Sequence, residues 1–447
     1  MESWPEIEIL CRTITPRLLY IVNYLASVLQ VGIGVKPAPA WEIKNSTGTG
    51  GKITINYART LVEGVFNIYP SGLLGETGIS KPEPGVFKHQ EQIMLFPAPA
   101  GFDLPFDLLS AAFFLLSRYE EYLPFEPDEH DRFEADQSLA FRHNFLDEPV
   151  VDQWVEMLKA ALTKKFPGLR FPEREFRFES TIDIDSPWAY LHKGWLRMTA
   201  GLIKHILLFH FSEVRLRLAV LWGKQRDPFD TYDYIRKREQ VHAFHSIFFL
   251  LTGNKSQYDT NYALKTRPFR ELVHYLKSVD NLGIHPSYRS NQDAELLISE
   301  FEEFFRIVGK YPEISRQHFL ILKFPDTYRH LTVMGIKKDY SMGYVSYTGF
   351  RAGTSQSFKF YDLKAEHETG LLLHPFQVMD VTLQQYLGLN PEEALNTIDR
   401  LVKKVKKVNG TFTSLWHNES LSDTGIWKGW RIVFEKMIEM SIMNYEL

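Results

Sequence analysis

From Phe176 to the C-terminus, short apolar runs recur between helical stretches: "FRFESTIDID", "HSIFFLLT", "NLGIHPS", "SRQHFLILK", "DYSMGY", "LLLHPFQVMD" and "TFTSLWHN". Strands separated by helix-length segments need crossover connections, and those favour parallel pairing in an α/β architecture. The pattern predicts a distorted (β/α) barrel of about seven strands over residues 173–447, preceded by a smaller mixed α+β domain over residues 1–172. In that first part "KITINYA" alternates like a strand, while "FDLLSAAFFLLSRYEEYLP" and "VVDQWVEMLKAALTKKF" read as helices, the second stopped by Pro167-Gly168. The apolar run from Leu18 to Val35 carries Asn23 and Gln30, which suits a buried helix better than a membrane span.

The first run of the second part ends in two aspartates. Side chains alternate along a strand, so Thr181, Asp183 and Asp185 share one face and Ile182 and Ile184 the other. Pro187 ends the strand just beyond them. Like charges this close need a cation, a strong donor or a trapped proton, whereas a plain strand end would use them to cap the following turn. Other strand ends carry chemistry-bearing residues too: His285 before Pro286, Arg316 and His318 at spacing two, Arg351 in "GFRAGTS", Asp380 in "PFQVMD" and His417 in "LWHNES". A divalent ion held by one carboxylate and imidazoles activates water and polarises a carbonyl, a free carboxylate takes a proton and an imidazolium gives one. Asp185, His285, Asp183 and His417 have the identities those parts require.

Composition narrows the remaining classes. A net charge of −4 over 447 residues gives no general attraction to nucleic acid, and Cys11 as the only cysteine excludes an internal disulfide or a thiolate zinc cluster. The acidic start "MESWPEIEIL" does not read as a signal peptide, so the expectation is a cytoplasmic protein, peripheral to the inner membrane face if it meets lipid at all.

The ordered motifs "STIDIDSP", "GIHPS", "SRQHF", "DYSMGY", "GFRAGTS", "PFQVMD" and "LWHNESLSD" resemble the polysaccharide deacetylase family, which shares the chitooligosaccharide deacetylase homology domain. They resemble most a bacterial branch with an additional N-terminal domain. The resemblance covers roughly Phe176 onward and implies a single divalent ion, most often zinc, with cobalt or nickel as alternatives, in an enzyme that removes N-acetyl groups from amino sugars. Carried over by position, Asp183 is the base, Asp185 and His285 are ligands, and His417 is the acid. Arg316 or Arg351 would orient the base and Asp380 would tune the acid. One departure stands out: the family pattern His-Ser/Thr-x-x-His places a second histidine where "HPSYR" has Arg289. His318 is the substitute candidate for third ligand, and Arg289 would then meet an anionic group of the substrate.

The expected substrate is an N-acetylated glycan or a lipid- or nucleotide-linked sugar. Tyr258, Asp259 and Asn261 in "LTGNKSQYDTNYAL", with Trp416 beside His417, are candidate sugar contacts, and the first three equally suit a turn with an Asx cap. The rival class is a carbohydrate-binding or assembly protein that kept the barrel without its metal. A glycosidase is disfavoured, because Asp183 and Asp185 come from one strand instead of flanking a bond. Between the first two strands lies a basic helical insertion at about 191–240, with Lys193, Arg197, Lys204, Arg215, Arg217, Lys224 and Arg226 against Glu213 within 191–226. It suits an anionic membrane face, a cover over a sugar cleft, or a helix pair packed on the barrel with a solvated basic face.

Overall fold

The computed structural model describes residues 6–38, 53–259, 261, 264–277 and 281–442. Met1 to Pro5 of the acidic start, and Thr260, Tyr262 and Ala263 of the "YDTNYA" loop, lie outside the described residues.

The first part is built on a parallel sheet of β1 (Glu6–Cys11), β2 (Gly32–Pro37), β3 (Ile53–Tyr57) and β4 (Phe66–Ile68), in the order β2-β1-β3-β4. β1 crosses to β2 through the helix Pro16–Leu29, which starts where the Thr15 side chain accepts from the Leu18 amide at 3.2 Å with Pro16 in the first turn. Its buried face, Leu18, Ile21, Leu25 and Val28, packs on the sheet and on the helix Leu108–Leu116, every residue of which is buried. A hairpin of β5 (Phe87–His89) and β6 (Gln92–Met94) and the helix Val150–Lys165 complete this part.

The second part is a nine-stranded sheet: β7 (Arg177–Ile184), β8 (Ser246–Leu251), β9 (Leu282–His285), β10 (Ile314–Ser315), β11 (Lys338–Asp339), β12 (Phe358–Asp362), β13 (His367–Leu373), β14 (Val378–Met379) and β15 (Thr411–His417). Its order is β12-β13-β11-β10-β9-β8-β7-β15-β14, parallel throughout except the β12–β13 hairpin. The count exceeds the expected seven for two reasons. "FKFYD", an aromatic run with no turn signal of its own, is the edge strand β12, and "LLLHPFQVMD" splits into β13 and β14 around Pro375, which has no amide hydrogen for the ladder. Among the described residues β12 and β14 are edges with no pairing between them, so hydrogen bonds do not close the sheet.

The two parts share one hydrophobic core, in which the rings of Tyr20, Phe113 and Tyr361 pack at centroid separations of 5.0–6.1 Å. Polar ties cross the same junction. Arg17, fully buried, meets Glu366 at 2.6 Å, and Asp152 accepts from the Ser355 amide at 2.8 Å. Arg351, one of two arginines expected to orient Asp183, belongs to this junction: its Nε and Nη2 grip the two oxygens of Glu121 at 2.9 and 2.6 Å and its Nη1 donates to the Gly343 carbonyl. With its fork engaged there, it is not the residue that contacts Asp183.

Candidate metal centre and acid–base pair

Register brings the strand-end residues to one rim. β15 and β7 pair with His417 opposite Asp183, β8 and β9 with Leu251 opposite His285, and β9 and β10 with Ile284 opposite Ser315. Parallel strands in step end together, so residues just past their carboxyl ends converge.

Asp185, His285 and His318 offer ligand atoms that all lie within 4.8 Å of one another. The His285 Nε2 stands 3.3 Å from one Asp185 oxygen and the His318 Nε2 3.4 Å from the other. Both rings are anchored from behind. His285 Nδ1 lies 2.6 Å from the Arg316 carbonyl, which makes Nδ1 the protonated nitrogen and leaves the Nε2 lone pair facing inward, and His318 Nδ1 lies 2.9 Å from the buried Asp259 carboxylate. Asp185 Oδ1 is buried without a hydrogen-bond partner. A carboxylate with one orphaned oxygen and an imidazole nitrogen beside each of its two oxygens fits a divalent cation. Burial alone would lift the Asp185 carboxyl, yet His318 and His285 hold it well below the usual carboxylate range. Burial would lower His318, and the charges of Asp185 and Asp259 overcome it and push it up to about 9.

His318 does not reach Asp185 from a strand. β10 ends at Ser315, and His318–Leu320 is a 3-10 turn with Phe319 at φ 57. Arg316 and His318, at spacing two, would share a face only if extended, and the turn instead carries the imidazole across to Asp185.

Asp183, 2% exposed, accepts from Arg316 Nη1 at 2.7 Å, while Nη2 holds Thr181 and Nε holds the Tyr340 carbonyl. The guanidinium lies 4.4 Å above the Phe249 ring. Gly283 makes that stack possible, since a Cβ there would sit 2.7 Å from the same ring. Opposite, His417 has its amide and Nδ1 on the two oxygens of Asp380, at 2.7 and 2.9 Å, and its Nε2 3.8 Å from Asp185. Burial would lower His417, but Asp380 first, then Asp185 and Asp183, push it up to about 10. The site thus holds a carboxylate gripped by a guanidinium and an imidazole held protonated by Asp380, both beside the Asp185–His285–His318 cluster.

The expected sugar contacts fare differently. Asp259 serves His318 and the Tyr288 amide, Asn261 donates to the Leu251 carbonyl at 2.7 Å, and Trp416 is fully buried against Phe434 with its indole on Met437. All three are engaged inward, so none is a sugar ligand. Tyr258 does border the site, its ring 4.2 Å from that of Tyr288 and 5.4 Å from that of Phe319. Arg289 is exposed at the start of the turn Arg289–Asn291. Sequence reading missed His130, from the loop "PDEHDRF" of the first part, whose ring meets Phe319 at 4.9 Å and Tyr288 Oη at 3.2 Å across 158 positions. No local pattern signals a contact at that separation. Glu419, whose carboxyl burial raises, was in view in "LWHNES" but unassigned.

The fold and the site define a mixed α/β protein with a parallel sheet and a candidate Asp-His-His metal site at its carboxyl rim. Residues 7–167 match a family described as "Family of unknown function (DUF7033)". No curated protein matches the chain. Solved structures similar to it include a protein assigned as a polysaccharide deacetylase from Mycobacterium smegmatis, 12% identical over 62% of this chain and 87% of that one, with a TM-score of 0.40. Others are a polysaccharide deacetylase from Bacillus cereus, 11% identical over 60% and 86% at a TM-score of 0.28, and a GH57-type branching enzyme from Pyrococcus horikoshii, 10% identical over 59% and 67% at 0.30.

Proposed function

We propose that this protein is a metal-dependent hydrolase that removes N-acetyl groups from an amino-sugar glycan or glycan precursor at the cytoplasmic face of a membrane, on a distorted (β/α) barrel that begins near residue 173. The observation that carries the proposal is the pairing of an Asp185–His285–His318 cluster with an acid and a base, each fixed by its own partner. A divalent ion there, zinc or cobalt or nickel, would supply Lewis acidity toward water and an amide carbonyl. Asp183, aimed by the Arg316 guanidinium, accepts the proton of the attacking water. His417, held by Asp380 through Nδ1, carries its transferable proton on Nε2 and delivers it to the departing amine. Tyr258, Tyr288 and Phe319 offer an aromatic wall beside His318 against which a sugar ring can stack, and Arg289 suits an anionic group of the same substrate.

The test is metal analysis of the purified protein followed by acetate release from a panel of N-acetylated amino sugars, nucleotide sugars and lipid-linked glycans. Bound divalent metal and release that Asp183→Asn abolishes are expected. A protein that takes up no metal would instead be the carbohydrate-binding or assembly protein.

A further inference from the structure

The insertion between β7 and β8 forms two helices, Trp195–Leu207 and Phe211–Leu221, joined by a short turn. The first buries none of its residues, although an amphipathic helix of a soluble fold ordinarily buries its apolar stripe. Trp195, Leu207 and Phe209 are 71%, 70% and 77% exposed. At 100° per residue, Trp195, Leu196, Ile203, Ile206 and Leu207 fall within an arc of about 120°, with Lys204 and Arg197 about 60–80° past one edge of it. The apolar face is thus turned out, with exposed cations on one side of it.

The hairpin is nevertheless a built unit. Arg217 reaches the Met198 carbonyl and stacks 4.7 Å over Tyr190, and a Cβ on Gly201 would strike its guanidinium at 2.3 Å. Glu213, the insertion's one acid between residues 191 and 226, turns inward to the Tyr190 hydroxyl at 2.8 Å, which leaves no carboxylate among the exposed side chains of that stretch. Its root is cinched by Asp227, which accepts from the amides of Ala189, Tyr190 and Leu191 at 2.7–3.0 Å. Asn418, next to His417, donates to the carbonyls of Ser186 and Phe229 on the two sides of that root. The outward face therefore stands on the same rim as the metal cluster.

We propose that residues 195–222 dock in the plane of an anionic lipid surface and so bring the metal centre to glycans carried on that surface. Charge complementarity selects the occupant: an exposed apolar arc on an insertion whose Lys204, Arg215 and Lys224 are exposed as well matches lipid tails below acidic headgroups. No helix among the described residues is long and apolar enough to cross a membrane, so the hairpin lies on the surface. The substrate half of this inference rests on the hydrolase reading, and the docking half does not.

The experiment is flotation of the full chain with vesicles of phosphatidylcholine containing phosphatidylglycerol, against phosphatidylcholine alone. Binding to the anionic vesicles that weakens at high salt is expected. Lys204→Glu with Arg215→Glu should weaken it at least about tenfold, and Trp195→Ser with Leu207→Ser and Phe209→Ser should abolish it. Thermal melting and acetate release from a soluble substrate should stay as in the parent, since these side chains are exposed and lie outside the acid–base pair. Failure of the parent to float, or equal binding to neutral vesicles, overturns the proposal. So does a dimer in sedimentation that the apolar variant disperses, which would make the face a contact between copies. Vesicle binding without acetate release from any substrate would remove the hydrolase reading and leave docking standing.

Discussion

Asp183 and Asp185 sit two positions apart yet live in different electrostatic surroundings. Asp183 faces a guanidinium, while Asp185 faces two imidazoles with one oxygen unsatisfied. Replacing Asp183 by Asn should therefore lower kcat by about 10²–10⁴-fold and leave metal stoichiometry unchanged, read by parallel kinetics and metal analysis. Asp259→Asn should do the reverse, weakening metal affinity by about 10–100-fold through loss of the group that orients His318, as read by competition with a chelator. Metal must also displace the proton that Asp185 and Asp259 hold on His318 up to about pH 9. Affinity should thus rise with pH until that point and flatten above it, with a proton released to buffer near neutrality. Calorimetry in buffers of different ionisation enthalpy would read that proton, and a pH-independent affinity would remove His318 from the ligand set. Of these residues, Asp183, Asp185, His285 and His417 were legible from the sequence because each ends a strand whose alternation or proline marks it. Asp259 was seen but given to sugar, since nothing local links it to an imidazole at position 318.

At the scale of elements, long runs with period two became long strands, as in β7 and β15, and shorter runs were cut down by tertiary demands. "SRQHFLILK" keeps only Ser315 in β10, the chain turning at Phe319 where His318 is delivered, and "DYSMGY" keeps only Asp339 in β11, where Asp339 turns back to accept from the Ser341 amide at 2.9 Å. Helix ends were more faithful to local chemistry. The helix Pro391–Lys407 opens with a capping box, in which Asn390 accepts from the Glu393 amide and Glu393 accepts from the Asn390 amide. Asn390→Ala should cost about 1 kcal/mol in chemical denaturation and leave the metal site untouched, because this cap is exposed and on a different element from every ligand.

Across the whole molecule, the two parts are joined by charges as well as by core. Glu121, buried between Arg118 and Arg351, is the centre of that junction. Its removal leaves two buried guanidinium groups short of their counter-ion, so Glu121→Ala should cost about 3–5 kcal/mol in urea unfolding. Burial would raise its carboxyl, but Arg351 and then Arg118 outweigh burial and hold it below its ordinary 4.5. A carboxylate depressed on folding stabilises the protein above its unfolded value and loses that contribution as pH falls through the folded one. The junction's contribution should therefore be full above about pH 5 and fade below 4.5 in the parent, and the acid-side slope should shrink in Glu121→Ala.

By itself the sequence determined the parallel α/β character of the second part, the helices of the first apart from the end of the Leu18–Val35 run, which is strand β2 from Gly32, and the convergence of two aspartates, because period, proline and cap chemistry act within a few residues of each other. Only the tertiary structure decided that Arg316 and not Arg351 holds Asp183, that His318 reaches Asp185 and His285 from a turn, and that Trp416 is core. Those choices depend on register between strands and on partners a hundred or more positions away, and such contacts leave no local periodicity to read.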